Sequence, residues 1–363
     1  MKTTRHVLPT LVATLTATVL WLPSVSSATD FKLIKGELPD LPKGAWTTVV
    51  IPDTQNYTRV DNKENIEILD QMFDWMVENK DTRNIKVVVH VGDMTRGNHP
   101  EEWVKVRNSY KKFDGVLPYV VCEGNHDSIR GQRTGSLDDY FRIDENPLNK
   151  EFFAGSFEKD KLGNAYYIFE QNWQKYLYLS LEYGARDEVV EWADKVIKRH
   201  PDHHIFFTVH EFLTEKSRLL SKDGKPALGA KQIDRYHREQ GNDSKGINSP
   251  IDLQRKLIDP NPNVEFLVNG HCSALRLSDD GKLERAREEM ATAHLSSPKE
   301  KGLTFHAMLL NAQWFENGGD GWLMLLEFQA DNKTVHVRTY SPYLKAYRTG
   351  PEYDYILHRQ LSK

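Results

Sequence analysis

The sequence predicts a mixed α/β sandwich, with two β-sheets held between helical layers. Three observations predict it. Apolar, β-branched runs such as TTVVI (47–51) and IKVVVHV (85–91) are continuous rather than alternating, so both faces of their sheet must be covered. These runs alternate with segments of helical period. Two closely spaced strands near 166–182 and a hairpin at 322–341 add antiparallel character.

Taken in order, the chain opens with Lys2 and Arg5, the apolar run LPTLVATLTATVLWLP and the small-residue stretch SVSSA. This is the pattern of a secretory signal peptide cleaved after Ala28. The apolar run is shorter than the roughly 20 residues that span a bilayer, and Pro23 ends it. No later segment is long and apolar enough to span. The expectation is a single domain over 29–363, secreted or periplasmic, with no membrane span after signal cleavage.

TTVVI (47–51) is the first strand, and the 62–80 segment is a helix with Ile66, Leu69, Phe73 and Met76 on one face. IKVVVHV (85–91) is the next strand, EEWVKVRNSYKKF (101–113) a helix, and LPYVVCE (117–123) a third strand. Residues 128–165 read as a loop-rich insertion with short elements. YYIFE (166–170) and KYLYLSLE (175–182) pair; DEVVEWADKVIKRH (187–200) is a helix; HHIFFTVH (203–210) is a buried strand. Residues 214–249 are a second polar insertion, VEFLVNG (264–270) is a strand, and 322–341 is a hairpin turning at DNK.

The 363 residues carry a net charge of −4 and no basic stripe, which excludes an obvious face for long nucleic acid. Cys122 and Cys272 are the only cysteines, so the chain is no disulfide scaffold; they form one bridge or stay as thiols.

Five strands end in groups able to bind metal: Asp53, Thr54 and Gln55 after the first; Gly92 and Asp93 after the second; Gly124, Asn125, His126 and Asp127 after the third; His210 and Glu211 after HIFFTV; Gly270 and His271 after EFLVN. Strand ends are where sites assemble in α/β sheets. A mixed oxygen and nitrogen set without a required thiolate suits Mn²⁺, Mg²⁺, Fe or Zn²⁺. Two such ions sharing a carboxylate can clamp a phosphoryl group and activate water. Arg96, Asn98, His99 and Arg130 lie just beyond these motifs, and Asn98 and Arg130 are candidate contacts to phosphate oxygens. Tyr57, Trp314 and Trp322 are candidates for stacking on a substrate. His306, in LTFHAMLLN, is a spare ligand or a histidine packed in a strand.

The order DTQ, GD, GNHD, VH and GH resembles the calcineurin-like metallophosphoesterase superfamily over about 47–341, and PDTQ together with GGDGWLMLLEF resembles an exported bacterial branch of it. The resemblance implies a four-layer sandwich of two mixed sheets flanked by helices. It implies that Asp53 and Gln55 bind one divalent ion, that Asp93 bridges two, and that Asn125, His210 and His271 complete the second. It also implies that His126 is the substrate-facing acid or a phosphate contact, held in orientation by Asp127. Gln55 stands where the family usually has histidine, and Ser273 where GHxH would place its last one. Arg96 stands where many members are acidic. The first ion is therefore expected to be held more weakly and by harder donors, favouring Mn²⁺, Mg²⁺ or Ca²⁺. The expected activity is hydrolysis of a small phosphate mono- or diester. The competing expectation is a secreted binding protein with a degenerate metal site that recognises a glycan or phosphorylated surface polymer.

Overall fold

A computed structural model describes residues 31–61, 65–128, 136–214, 246–278, 283–286, 289–299 and 303–360. The expected signal segment 1–28, Arg130 and most of the expected 214–249 insertion lie outside the described residues. The rest is two mixed sheets, face to face, with helices on both outer sides, as the sequence predicts.

The first sheet takes strands from both ends of the chain. β1 (Lys32–Lys35), β2 (Trp46–Ile51), β3 (Ile85–His90) and β4 (Tyr119–Val120) come early. The second sheet is built from β5 (Phe153–Ser156), β6 (Ala165–Gln171), β7 (Gln174–Ser180), β8 (His204–Thr208) and β9 (Val264–Asn269), after which β10 (Leu275–Leu277) and β11 (Leu283–Arg285) form a small separate pair. β12 (Ala291–Pro298) and β13 (Thr304–Asn311) return to the second sheet. β14 (Leu323–Phe328), β15 (Thr334–Ser341), β16 (Ala346–Thr349) and β17 (Asp354–His358) finish the first.

The first sheet runs β1-β16-β15-β14-β2-β3-β4, with β17 also on β15, and the second runs β12-β13-β9-β8-β7-β6-β5. β2, β3 and β4 are mutually parallel. So are β7, β8, β9 and β13. In the second sheet antiparallel strands flank the parallel block on both sides, whereas in the first they lie on one side and β4 forms the opposite edge; the 323–341 hairpin forms where the sequence predicts it.

Successive residues of the central strands face different layers, which explains their unbroken hydrophobicity. Val49 and Ile51 join the outer core under α1 (Ile66–Glu78) and α2 (Pro100–Tyr110), while Val50 points between the sheets. Leu267 packs outward beneath α3 (Asp187–Arg199), and Phe266 and Val268 pack inward. The inner layer is rich in aromatics: Trp46 stacks on Phe328 at 4.1 Å and Tyr178 on Phe206 at 4.5 Å. Thr48 and Tyr178 join the two sheets through a 2.6 Å hydroxyl hydrogen bond.

The third predicted strand shortens to Tyr119–Val120, the two residues that pair with β3, and its free edge is covered by Asn149. Its amide accepts from Tyr119 N at 2.7 Å and donates to Tyr119 O at 3.0 Å. Both cysteines are free thiols. His306 is packed in β13, bonded to Ser296 Oγ at 2.8 Å and to the His358 carbonyl at 3.2 Å, away from the strand-end cluster.

Candidate metal centre

The parallel strands of both sheets end on the same side of the sandwich, so their following loops converge. Asp93, His210 and His271 meet there, with one ligand atom of each within 4.8 Å of the others. Asn125 Oδ1 adds a fourth donor, 3.2 Å from His210 Nε2 and 2.8 Å from His271 Nδ1. His210 donates from Nδ1 to the Val91 carbonyl at 2.8 Å, which fixes the tautomer and leaves Nε2 toward the cluster.

Backbone geometry sets the remaining contacts. Asp93 and His271 both hold positive φ, 54° and 65°. For a histidine this conformation is strained by about 1–3 kcal/mol, and it turns the His271 N–H onto the Asp53 carboxylate at 3.1 Å. Two glycines allow the close approach. A Cβ at Gly270 would overlap Asp53 Oδ1, and one at Gly124 would overlap Asp93 Oδ1.

Asp53 Oδ2 also accepts from Asn311 Nδ2 and Gln313 Nε2, each at 3.0 Å. These two amides are absent from the five motifs named above. Their signal is nonetheless the same: the apolar run of β13 ends in Asn-Ala-Gln. Oδ1 accepts the His271 N–H at 3.1 Å, so both carboxylate oxygens are held in place. Gln55 Oε1 and Gln313 Oε1 are buried without a hydrogen-bond partner. An orphaned buried oxygen costs about 1–3 kcal/mol, and amide oxygens of this kind are donors suited to a hard cation. The residues present therefore fit the divalent ions that the resemblance implies.

The charges of the cluster are tightly linked. Burial pushes the Asp53 carboxyl up to about 8, with His210 opposing and Asp93 adding. Burial alone would depress His210, but Asp93 and Asp53 lift it to about 10. Asp93 resists burial and stays well below the carboxylate range because His210 and His126 lie beside it. Burial, then His210, push His271 down to about 3, so its ring is neutral and ready to ligate.

His126 sits at the edge of this cluster, its backbone N–H donating to Asp93 Oδ1 at 2.9 Å. Its ring is oriented by the Arg96 carbonyl, 2.7 Å from Nδ1. The expectation that Asp127 orients it is corrected. Asp127 accepts from Met94 N, Thr95 N, Thr95 Oγ1 and Gly124 N, at 3.1, 2.8, 3.0 and 2.9 Å, and so ties the Asp93 loop to the Asn125 loop. Asn98 commits its amide oxygen to Trp103 Nε1 at 2.6 Å. Tyr57 is buried and accepts from Gly321 N at 2.9 Å, and Trp322 is buried in the inner layer; neither faces substrate. Trp314 remains at the rim, part-exposed, donating to Ser273 Oγ at 2.7 Å.

Among the described residues, no helix is long and apolar enough to cross a membrane. The family model of the calcineurin-like phosphoesterases matches residues 47–271. A curated relative, the uncharacterized protein YvnB of Bacillus subtilis (strain 168), is 30% identical over 344 residues, which are 92% of this chain but only 22% of that protein. Among solved structures, a purple acid phosphatase from yellow lupin seeds is 14% identical with a TM-score of 0.46, covering 87% of this chain and 54% of its own. A 5′-nucleotidase precursor of Thermus thermophilus is 14% identical with a TM-score of 0.41, covering 81% of this chain and 54% of its own. GAP50, the anchor in the inner membrane complex of Plasmodium, is 10% identical with a TM-score of 0.43, covering 88% of this chain and 91% of its own.

Proposed function

Because this chain belongs to the calcineurin-like phosphoesterase family, we propose that it is an exported, metal-dependent hydrolase of a small phosphate mono- or diester. The observation that carries this reading is the convergence of Asp93, Asn125, His210 and His271 beside Asp53, whose amide neighbours Gln55 and Gln313 keep orphaned oxygens. Export rests on the signal-peptide pattern of residues 1–28.

Asp93, Asn125, His210 and His271 would hold one divalent cation, and Asp53, Gln55 and Gln313, with Asp93 shared, would hold the other. When bound, the two cations supply an activated water and neutralise charge on the phosphoryl oxygens. The second set is all oxygen, so it favours hard ions such as Mn²⁺, Mg²⁺ or Ca²⁺ and binds more weakly than a set containing imidazole. His126, its Nδ1–H tied to the Arg96 carbonyl, has Nε2 available to pass a proton to the departing oxygen. Asp127 keeps the Asp93 and Asn125 loops in register through its four accepted hydrogen bonds. The Val91 carbonyl keeps His210 in the tautomer that presents Nε2.

The test is metal content measured beside turnover. The mature protein, loaded with Mn²⁺, is expected to retain two ions of unequal affinity and to release phosphate or alcohol from aryl mono- or diesters. One ion per chain with no turnover on either class would reject hydrolysis in favour of a binding protein.

A further inference from the structure

Ser273 does not serve the metal cluster through a free hydroxyl; it accepts from the Trp314 indole at 2.7 Å. That bond fixes Trp314 at the mouth of the site, beside the loop that follows His271. Two arginines gather on the indole. The Arg285 guanidinium carbon lies 4.3 Å from the ring centroid and that of Arg96 lies 5.9 Å away. Arg96 is half-buried and Arg285 exposed. Neither guanidinium has an ion-pair partner among the described residues. The backbone of Arg96 is itself rooted in the site, since its carbonyl holds His126 Nδ1 at 2.7 Å.

Two guanidinium groups on one indole repel each other, and neither is in an ion pair among the described residues. Burial first, then the like charges of Arg59 and Arg285, push the Arg96 guanidinium down, and Asp93 and Glu102 offset this only in part. An oxyanion placed between them would relieve both effects. The planar guanidinium fork binds phosphate and carboxylate oxygens with two parallel hydrogen bonds, and an aromatic face limits its rotamers beforehand. With both arginines drawing on its ring, Trp314 serves to space and orient cations more than to stack on a base.

We propose that Arg96 and Arg285, spaced by Trp314, form a subsite for a second anionic group of the substrate, one that is not hydrolysed. The inference rests on the phosphoesterase reading and narrows it to organic phosphates that carry another phosphate or a carboxylate.

The test compares propyl phosphate, propane-1,3-diyl bisphosphate and 4-phosphooxybutanoate in the Mn²⁺-loaded protein. The doubly anionic substrates are expected to show the higher kcat/KM, and the better of the two identifies the preferred group. Arg285→Ala should lower the ratio of kcat/KM for the preferred substrate over propyl phosphate about tenfold or more, the size of one charge-assisted hydrogen bond. Arg285→Lys should fall between, because it keeps the charge and loses the fork. A ratio unchanged within about twofold would overturn the subsite while leaving the phosphoesterase reading intact. Binding of pyrophosphate to the metal-free protein, measured by calorimetry, separates the other failure. Weakened binding in Arg285→Ala with no turnover of any ester would keep the subsite and reject the hydrolase. Equal binding in both proteins would reject the subsite.

Discussion

Gln313 donates its side-chain amide to Asp53 Oδ2 at 3.0 Å, across 260 positions of sequence. Its other amide atom, Oε1, is buried without a partner, as is Gln55 Oε1. Gln55 thus stands where the family usually has imidazole, and Gln313 sits on a carboxylate that the His271 N–H and the Asn311 amide also hold in place. If these oxygens are ligands, Gln313→Leu should weaken the lower-affinity cation by about 10–100-fold and leave the tighter one unchanged. Calorimetric titration of the metal-free protein with Mn²⁺ reads both. Unaltered binding at both sites would make Gln313 a structural partner of Asp53 alone.

Asp127 and His126 are adjacent in sequence, yet the structure gives them separate tasks. Asp127→Asn would turn an amide donor toward a ring of N–H and O–H donors. It should destabilise the metal-free protein by about 2–4 kcal/mol. His126→Gln should leave metal-free stability nearly unchanged and still remove turnover. Urea unfolding of both variants in EDTA checks the division. Equal stability of Asp127→Asn and wild type would return Asp127 to the catalytic role expected from sequence.

Metal loading should release protons. Burial disfavours a charged His210, but Asp93 holds its pKa up at about 10. The metal-free ring is therefore charged at neutral pH and must lose its proton to ligate. Affinity is expected to rise with pH by up to about tenfold per unit for each proton released, levelling toward pH 10. The same raised pKa stabilises the metal-free fold fully below the ordinary histidine value of 6.5, and that stabilisation fades as pH climbs through about 10. Calorimetry in two buffers of different ionisation enthalpy measures the proton count. Affinity independent of pH between 6 and 9 would contradict this charge assignment.

Much of the centre is legible in sequence because each piece carries its signal locally: an apolar run, then a ligand, with a proline or glycine just before Asp53, Asp93, Asn125 and His271. Asp53, Asp93, Asn125, His210 and His271 all follow that pattern and all converge. Asn311 and Gln313 follow it as well, but amides after a strand are common in turns, and only the fold brings them to Asp53. The role of Asp127 lies in tertiary contacts to backbone N–H groups more than 30 positions away, which no spacing rule reports. The covering of the free edge of β4 has the same origin, since the Asn149 amide that bonds Tyr119 lies 30 positions along. The short outer strands β1, β16 and β17 have too few residues for a periodic signal, and they form because the β14–β15 hairpin supplies a template.

Hydrolysis and metal content of wild type against Asp93→Ala test the central claim most directly, because Asp93 is the carboxylate that touches His210 and receives the His126 N–H. With Mn²⁺ and an aryl phosphate diester or monoester, the variant is expected to keep at most one ion and to lose more than about a hundredfold of kcat/KM, beyond what loss of a supporting contact causes. An Asp93→Ala protein that turns over at the wild-type rate would contradict the account.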